Sequence, residues 1–248
     1  GLQHQDGHSH LAASATPNLK AYDLAYAYEI AHIIQKGMKE MVEQDEDVIY
    51  YLTLENQNYV HPPMKKNIGQ GIEKGIYRLI ENKKATIELF GSGPLLNEII
   101  EAADVLKKDS GIESSVWSVT SYSQLRKEAE DIDRWNRSHP EEESKLSFVQ
   151  ESLKETSNPI VAVSDYMKLV SEQIRPFIPN IYLTLGTDGF GRSETRESLR
   201  KFFEIDRFYI VFASIQALVE NKKVEHKTLN KVIKKYNIDP EKPNPAKT

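Results

Sequence analysis

Three histidines stand within the first ten residues, His4, His8 and His10 of the run GLQHQDGHSH. Imidazole titrates near neutral pH, so a histidine held in a cleft can give or take a proton, or carry positive charge toward a developing anion. His4 and His8 are four residues apart, and with His10 they offer three nitrogen donors that a metal could use. The stretch contains glycine and no apolar period that would fix this spacing on a helix, so histidines of a polar loop are the plainer reading.

Two further stretches could hold an anion. Gly91-Ser92-Gly93-Pro94 sits between a strand pattern and a helix pattern, but a dinucleotide fingerprint needs glycine where Leu96 stands. An ordinary strand-to-helix turn is the commoner explanation, although the helix start could still attract an anion. In LGTDGFGRSETRESLR, Arg192, Arg196 and Arg200 recur every four residues, with Gly186, Gly189 and Gly191 nearby and Ser193 placed to cap a helix. The arginines form either an anion-binding stripe or a solvated or interface face, the second being commoner. The embedded DGFG lacks the companion motifs of a kinase.

The elements that must position these groups follow from periodicity. Residues 23–42 carry Ile30, Ile33, Ile34, Met38 and Met41 on one helical face, with Asp23 as a possible cap. VIYYLTL (48–54) reads as a strand, and His61-Pro62-Pro63 as a domain boundary followed by a short amphipathic piece. From Ala85 the pattern is regular: TIELF, a glycine turn, a helix marked by Leu95, Leu96, Ile99, Ile100, Ala103 and Leu106, then VWSV form a β-α-β unit. IVAV precedes a helix that must end near Arg175 before Pro176; IYLTL, the RESLRKFF helix, FYIVFA as a further strand and more helix complete the series. Such alternation predicts a three-layer α/β/α sandwich, and PEKPNPAKT reads as a loose tail.

Composition narrows the function classes. A net charge of −5 over 248 residues supplies no basic field, so nucleic acid is not the expected partner. The acidic runs at 43–47 and 141–143 read as solvated turns. There is no cysteine, which removes disulfides, thiolate zinc sites and cysteine nucleophiles. No apolar run is long enough to span a membrane and no signal-peptide pattern is present, so a cytoplasmic setting is compatible. The chain opens without methionine, and GLQH is expected to be an interior loop of a longer polypeptide.

Several motifs in one order, GLQHQDGHSH, TLENQNY, LFGSGPLL, SVTSYSQL, RWNRSHP, SDYMKL and LGTDGFGRSETRESLRKFFEID, resemble the transketolase-like thiamine-diphosphate enzymes, and among them the homodimeric pyruvate dehydrogenase E1 components. The resemblance runs from Gly1 to about Pro245. It implies a C-terminal remnant of the pyrimidine-binding domain at 1–62, including its last helix and strand, a linker at 63–84 and a transketolase C-terminal-like domain at 85–248. It also implies decarboxylation of pyruvate with thiamine diphosphate and Mg²⁺, and transfer of the two-carbon unit to the lipoyl group of an E2 partner. His4 matches the family's active-site histidine, while His8 and His10 are expected to pack or hydrogen-bond within the loop. The cofactor and metal are expected to be bound mainly by residues outside this chain, so the chain alone should be inactive. Asp188 to Ser193 matches the group's D-x-F-G-x-S loop, but Glu194 replaces a small residue there. The competing expectations are a non-catalytic dimerisation or assembly α/β module, and a nucleotide-binding domain using Gly91 to Gly93.

Overall fold

The structure is a computed structural model describing residues 6–248. Its first part is small. Helix α1 (Ser9–Ser14) leads into strand β1 (Leu19–Asp23), helix α2 (Ala27–Met38) continues into a π-helical turn (Lys39–Glu43), and strand β2 (Ile49–Thr53) returns parallel to β1. Asp23 therefore ends a strand and does not cap the helix; Tyr26 occupies the cap position. The side chain of Glu29 reaches back to accept the N–H groups of Ala25 and Tyr26 at 2.6 and 3.0 Å, satisfying donors that a helix start leaves open.

The apolar face of α2 points only partly into the core, with Ile30 and Ile33 packed there. Ile33 and Gly37 face inward, Gly37 because the ring of Tyr50 would stand 3.2 Å from a Cβ there. Ile34, Met38 and Met41 are 47, 60 and 39% exposed. A two-stranded parallel sheet is a minimal element, since parallel strands ordinarily have both faces covered.

After residues 54–68, helix α3 (Gly69–Lys74) and strand β3 (Ile76–Ile80) occupy the segment read from sequence as a linker; β3 is the antiparallel edge of the large sheet. The remaining elements are β4 (Ile87–Gly91), α4 (Leu95–Ser110), β5 (Ser114–Val119), α5 (Tyr122–Ser138), α6 (Phe148–Leu153), β6 (Ile160–Val163), α7 (Leu169–Glu172), β7 (Tyr182–Leu185), α8 (Arg196–Phe202), α9 (Arg207–Glu220) and α10 (Lys227–Lys235). Sheet order is β3-β5-β4-β6-β7, with β5, β4, β6 and β7 parallel.

Alternation along the strands divides the core in two. Ile87, Leu89, Val116, Val161 and Val163 pack with α4 and α9, whereas Phe90, Trp117, Ile160 and Ala162 pack with α5, α6 and α7. This is the three-layer α/β/α sandwich expected. Each fully buried Leu or Ile in these layers contributes about 1.5–3 kcal/mol relative to exposure. Glu29 joins the two parts: its Oε1 accepts the hydroxyls of Tyr77 on β3 and Ser118 on β5, both at 2.7 Å. Burial raises its pKa, and its hydrogen bonds oppose that rise.

FYIVFA, expected as a strand, is the start of α9. Asp206 accepts the N–H groups of Phe208 and Tyr209, both at 2.9 Å, and the apolar run continues through Leu218, too long for a strand. A helix buried on nearly all sides loses the polar stripe that identifies it by periodicity. The C-terminal residues are tied down as well. Lys242 Nζ donates to the carbonyl of Phe202 at 2.6 Å, and the Asn244 side chain accepts the Ala246 N–H at 2.9 Å.

Candidate functional site

His4 lies outside the described residues. The chain is described from Asp6 onward, and residues 6–10 are seated against the loops that follow β6 and β7. Asp6 Oδ1 accepts the N–H groups of His8 and Ser9 at 3.0 and 2.8 Å, and the carbonyl of Gly7 accepts the N–H of Met167 at 2.8 Å. A Cβ on Gly7 would be 3.5 Å from the carbonyl of Thr187. His8 is exposed at the lip of a cleft.

His10 is buried between Tyr51 and Tyr166, with ring centroids 5.5 and 4.6 Å away. Its Nε2 is 3.0 Å from Thr53 Oγ1, which donates to Asp23 Oδ1 at 2.9 Å. Since the threonine proton goes to the carboxylate, Nε2 carries the hydrogen toward Thr53. Burial depresses the His10 pKa to about 4 and raises that of Asp23 to about 6. His10 therefore packs and hydrogen-bonds as expected, but from the first turn of α1 and against β2 and the loop after β6, not within its own loop. Among the described residues no group of His, Asp or Glu could hold a metal ion.

Asp23 also decides the reading of the glycine turn. Its carbonyl accepts the Gly93 N–H at 3.2 Å, and a Cβ on Gly93, where φ is +48°, would stand 2.5 Å from Oδ1. Gly91 is required separately, because a Cβ there would be 2.8 Å from Leu96 Cα. The turn that a phosphate would need is filled by a carboxylate of the same sign. Both glycines serve packing, and the nucleotide reading of Gly91 to Gly93 is overturned. Sequence reasoning missed Asp23 because its position depends on β1, whose pairing partner lies thirty residues downstream.

The arginine stripe lines a cleft of about 570 Å³ at the carboxyl ends of β6 and β7, together with Asp6, His8, Glu55 and Asp165. Open parallel sheets place ligands at this end. Arg196 Nη1 donates to Glu55 at 2.6 Å, and Arg200 Nη1 to Glu98 at 2.9 Å. Arg207 also grips Glu98, so that buried carboxylate fixes α8 and α9 to α4. The Arg192 guanidinium lies over the ring of Phe202, 5.3 Å from its centre. Two members of the stripe are thus structural ties and one is not. Thr195, and not Ser193, caps α8 by accepting the Ser198 N–H at 3.3 Å. Gly189, at φ +104°, lies against the carbonyl of Pro245, which a Cβ would approach to 2.5 Å.

Asp165 is the cleft residue that the sequence did not flag. Burial, then the charges of Glu55 and Asp23, raise its pKa to about 6. Its place immediately after a buried parallel strand was the available signal.

Comparison with known proteins gives one consistent result. Residues 75–206 match the family described as the transketolase-like TK C-terminal domain, and residues 1–62 match the pyruvate dehydrogenase E1 component middle domain. The pyruvate dehydrogenase E1 component of Pseudomonas aeruginosa is 49% identical over 99% of this chain, and that of Escherichia coli 45% over 99%. The chain spans 28% of the length of each of these relatives. A transketolase from Pichia stipitis superposes with a TM-score of 0.66 at 19% identity, covering 90% of this chain and 28% of that one. One from Campylobacter jejuni gives 0.60 at 18%, covering 87% and 29%. The layered sheet, the cleft at its carboxyl edge and these matches lead to one conclusion: the chain belongs to the transketolase-like C-terminal domain family, and over its whole length it is a homologue of the pyruvate dehydrogenase E1 component.

Proposed function

We propose that this chain is the C-terminal part of a thiamine-diphosphate-dependent pyruvate dehydrogenase E1, which decarboxylates pyruvate and reductively acetylates the lipoyl group of an E2 partner. The observation that carries the reading is the tandem of two family matches, 1–62 and 75–206, on a chain 49% identical to an E1 component. Residues 1–62 would complete the pyrimidine-binding domain, 63–84 would connect it while lending the edge strand β3, and 85–248 would form the C-terminal domain. The enzyme is proposed to be a cytoplasmic homodimer. The outward apolar face of α2 supports a position against further polypeptide.

His4 is the proposed catalytic residue. Placed beside the substrate, its imidazole would offer a proton or a positive charge to the carboxylate or a developing alkoxide. What supports the reading in the described residues is that the segment from Asp6 onward is seated: the Gly7 carbonyl accepts from Met167 in the loop after β6, and His10 bonds Thr53 on β2. Thiamine diphosphate, when bound, supplies the nucleophilic carbon. The GSGP turn does not fit its Mg²⁺-diphosphate group, because Asp23 fills it, and no group of three or more His, Asp or Glu among the described residues could hold the metal. The residues that bind that group are proposed to lie elsewhere in the enzyme.

The test is an assay of the full-length protein with pyruvate, thiamine diphosphate, Mg²⁺ and a lipoylated E2 domain. Acetylation of the lipoyl group is expected, and none from the 248-residue chain alone. The second reading, a non-catalytic α/β assembly module, is favoured by the five-stranded sheet with a core on each face. It would be preferred if the full-length protein turned over no pyruvate.

A further inference from the structure

Arg192 differs from the two arginines that share its stripe. Arg196 and Arg200 are bound to Glu55 and Glu98, whereas Arg192 makes no ion pair among the described residues, and its Nε is buried with no hydrogen-bond partner among them. A guanidinium stays charged at every physiological pH and presents a rigid fork of donors. Leaving such a donor buried and unpaired is costly, because it forfeits its hydration with nothing in exchange. The guanidinium lies 5.3 Å from the centre of the Phe202 ring, a cation–π contact that helps hold the side chain in place before an anion arrives.

The acidic groups around the cleft are mostly committed. Asp6 accepts from His8 and Ser9, Glu55 from Arg196, and Glu194 from the N–H of Thr195. Asp165 receives no side-chain hydrogen bond among the described residues. It lines the same cleft and opposes a second negative charge. The cleft's volume of about 570 Å³ is that of a small-molecule site.

We propose that this cleft binds a small oxyanion, a carboxylate or a phosphate, gripped by the guanidinium of Arg192. The ligand carries one oxyanion head and, toward Asp165, a neutral or hydrogen-bond-donating remainder. The proposal goes beyond the enzymatic reading above and does not rest on it.

Calorimetric titration of the full chain with inorganic phosphate and, separately, with pyruvate tests it, at constant ionic strength and with chloride as reference. Saturable binding of at least one anion is expected in the wild type, weakened about tenfold in Arg192→Gln and less in Arg192→Lys, which keeps the charge but loses the fork. Arg137→Gln, at an exposed arginine remote from the cleft, leaves it unchanged. Tighter phosphate binding assigns a phosphoryl ligand, and tighter pyruvate binding a carboxylate. Equal affinity in wild type and Arg192→Gln, or binding no stronger than chloride, overturns the proposal. If Arg192→Gln fails to fold, judged by circular dichroism, the Lys variant decides by the same comparison.

Discussion

Asp23 and His10 share one hydrogen-bonded threonine, yet they couple stability to pH in opposite senses. Burial raises Asp23 from 3.8 to about 6, so the native state holds that proton more tightly than the unfolded chain. The stability this contributes is complete below the unfolded value and is lost as pH rises to about 6. Burial lowers His10 from 6.5 to about 4, so its contribution is present above 6.5 and is lost as pH falls toward 4. Urea unfolding across a pH series should therefore show Asp23→Asn gaining on the wild type by on the order of 2–3 kcal/mol between about pH 4 and 6.5. His10→Gln should flatten the acid side instead. A parallel pair of curves for Asp23→Asn and wild type would contradict the burial argument.

The β4–α4 turn shows how an element is specified by more than backbone preference. Gly93 and Gly111 both have positive φ, +48° and +64°, but a Cβ at Gly111 meets open space while one at Gly93 meets the Asp23 carboxylate. Thermal unfolding should give about 1 kcal/mol of destabilisation for Gly111→Ala and roughly 2–4 kcal/mol for Gly93→Ala. Equal costs would mean that Asp23 yields freely. This contrast also explains what the sequence makes legible. β4, β5 and β6 are short apolar-rich runs buried throughout, and with the β7 run YLTL at the sheet edge each is readable from its own residues. α9 begins with an equally strand-like run, and what decides it is the Asp206 cap and the length of apolar sequence beyond. In the site, the arginine spacing is visible in sequence, but which arginine stays unpaired depends on Glu55 and Glu98, 141 and 102 residues away along the chain. β1 is likewise hidden: LKAYD shows no clear alternation, and it becomes a strand by pairing with β2.

On the scale of the whole molecule, a complete sandwich carries a small parallel sheet whose helix α2 and following π-helical turn face Ile34, Met38 and Met41 outward. If further polypeptide of a full-length enzyme covers this face, Met38→Glu should lower the melting temperature of that enzyme by several degrees, while changing the isolated chain little. An equal shift in both would leave the face uncovered. The central proposal is that His4 is the catalytic imidazole of a pyruvate dehydrogenase E1. Its most direct test is the kcat for pyruvate-dependent lipoyl acetylation by the full-length enzyme, with wild-type His4 and with His4→Ala. The account predicts a fall of about 10²–10⁴-fold with an unchanged melting temperature. An unchanged kcat would contradict it.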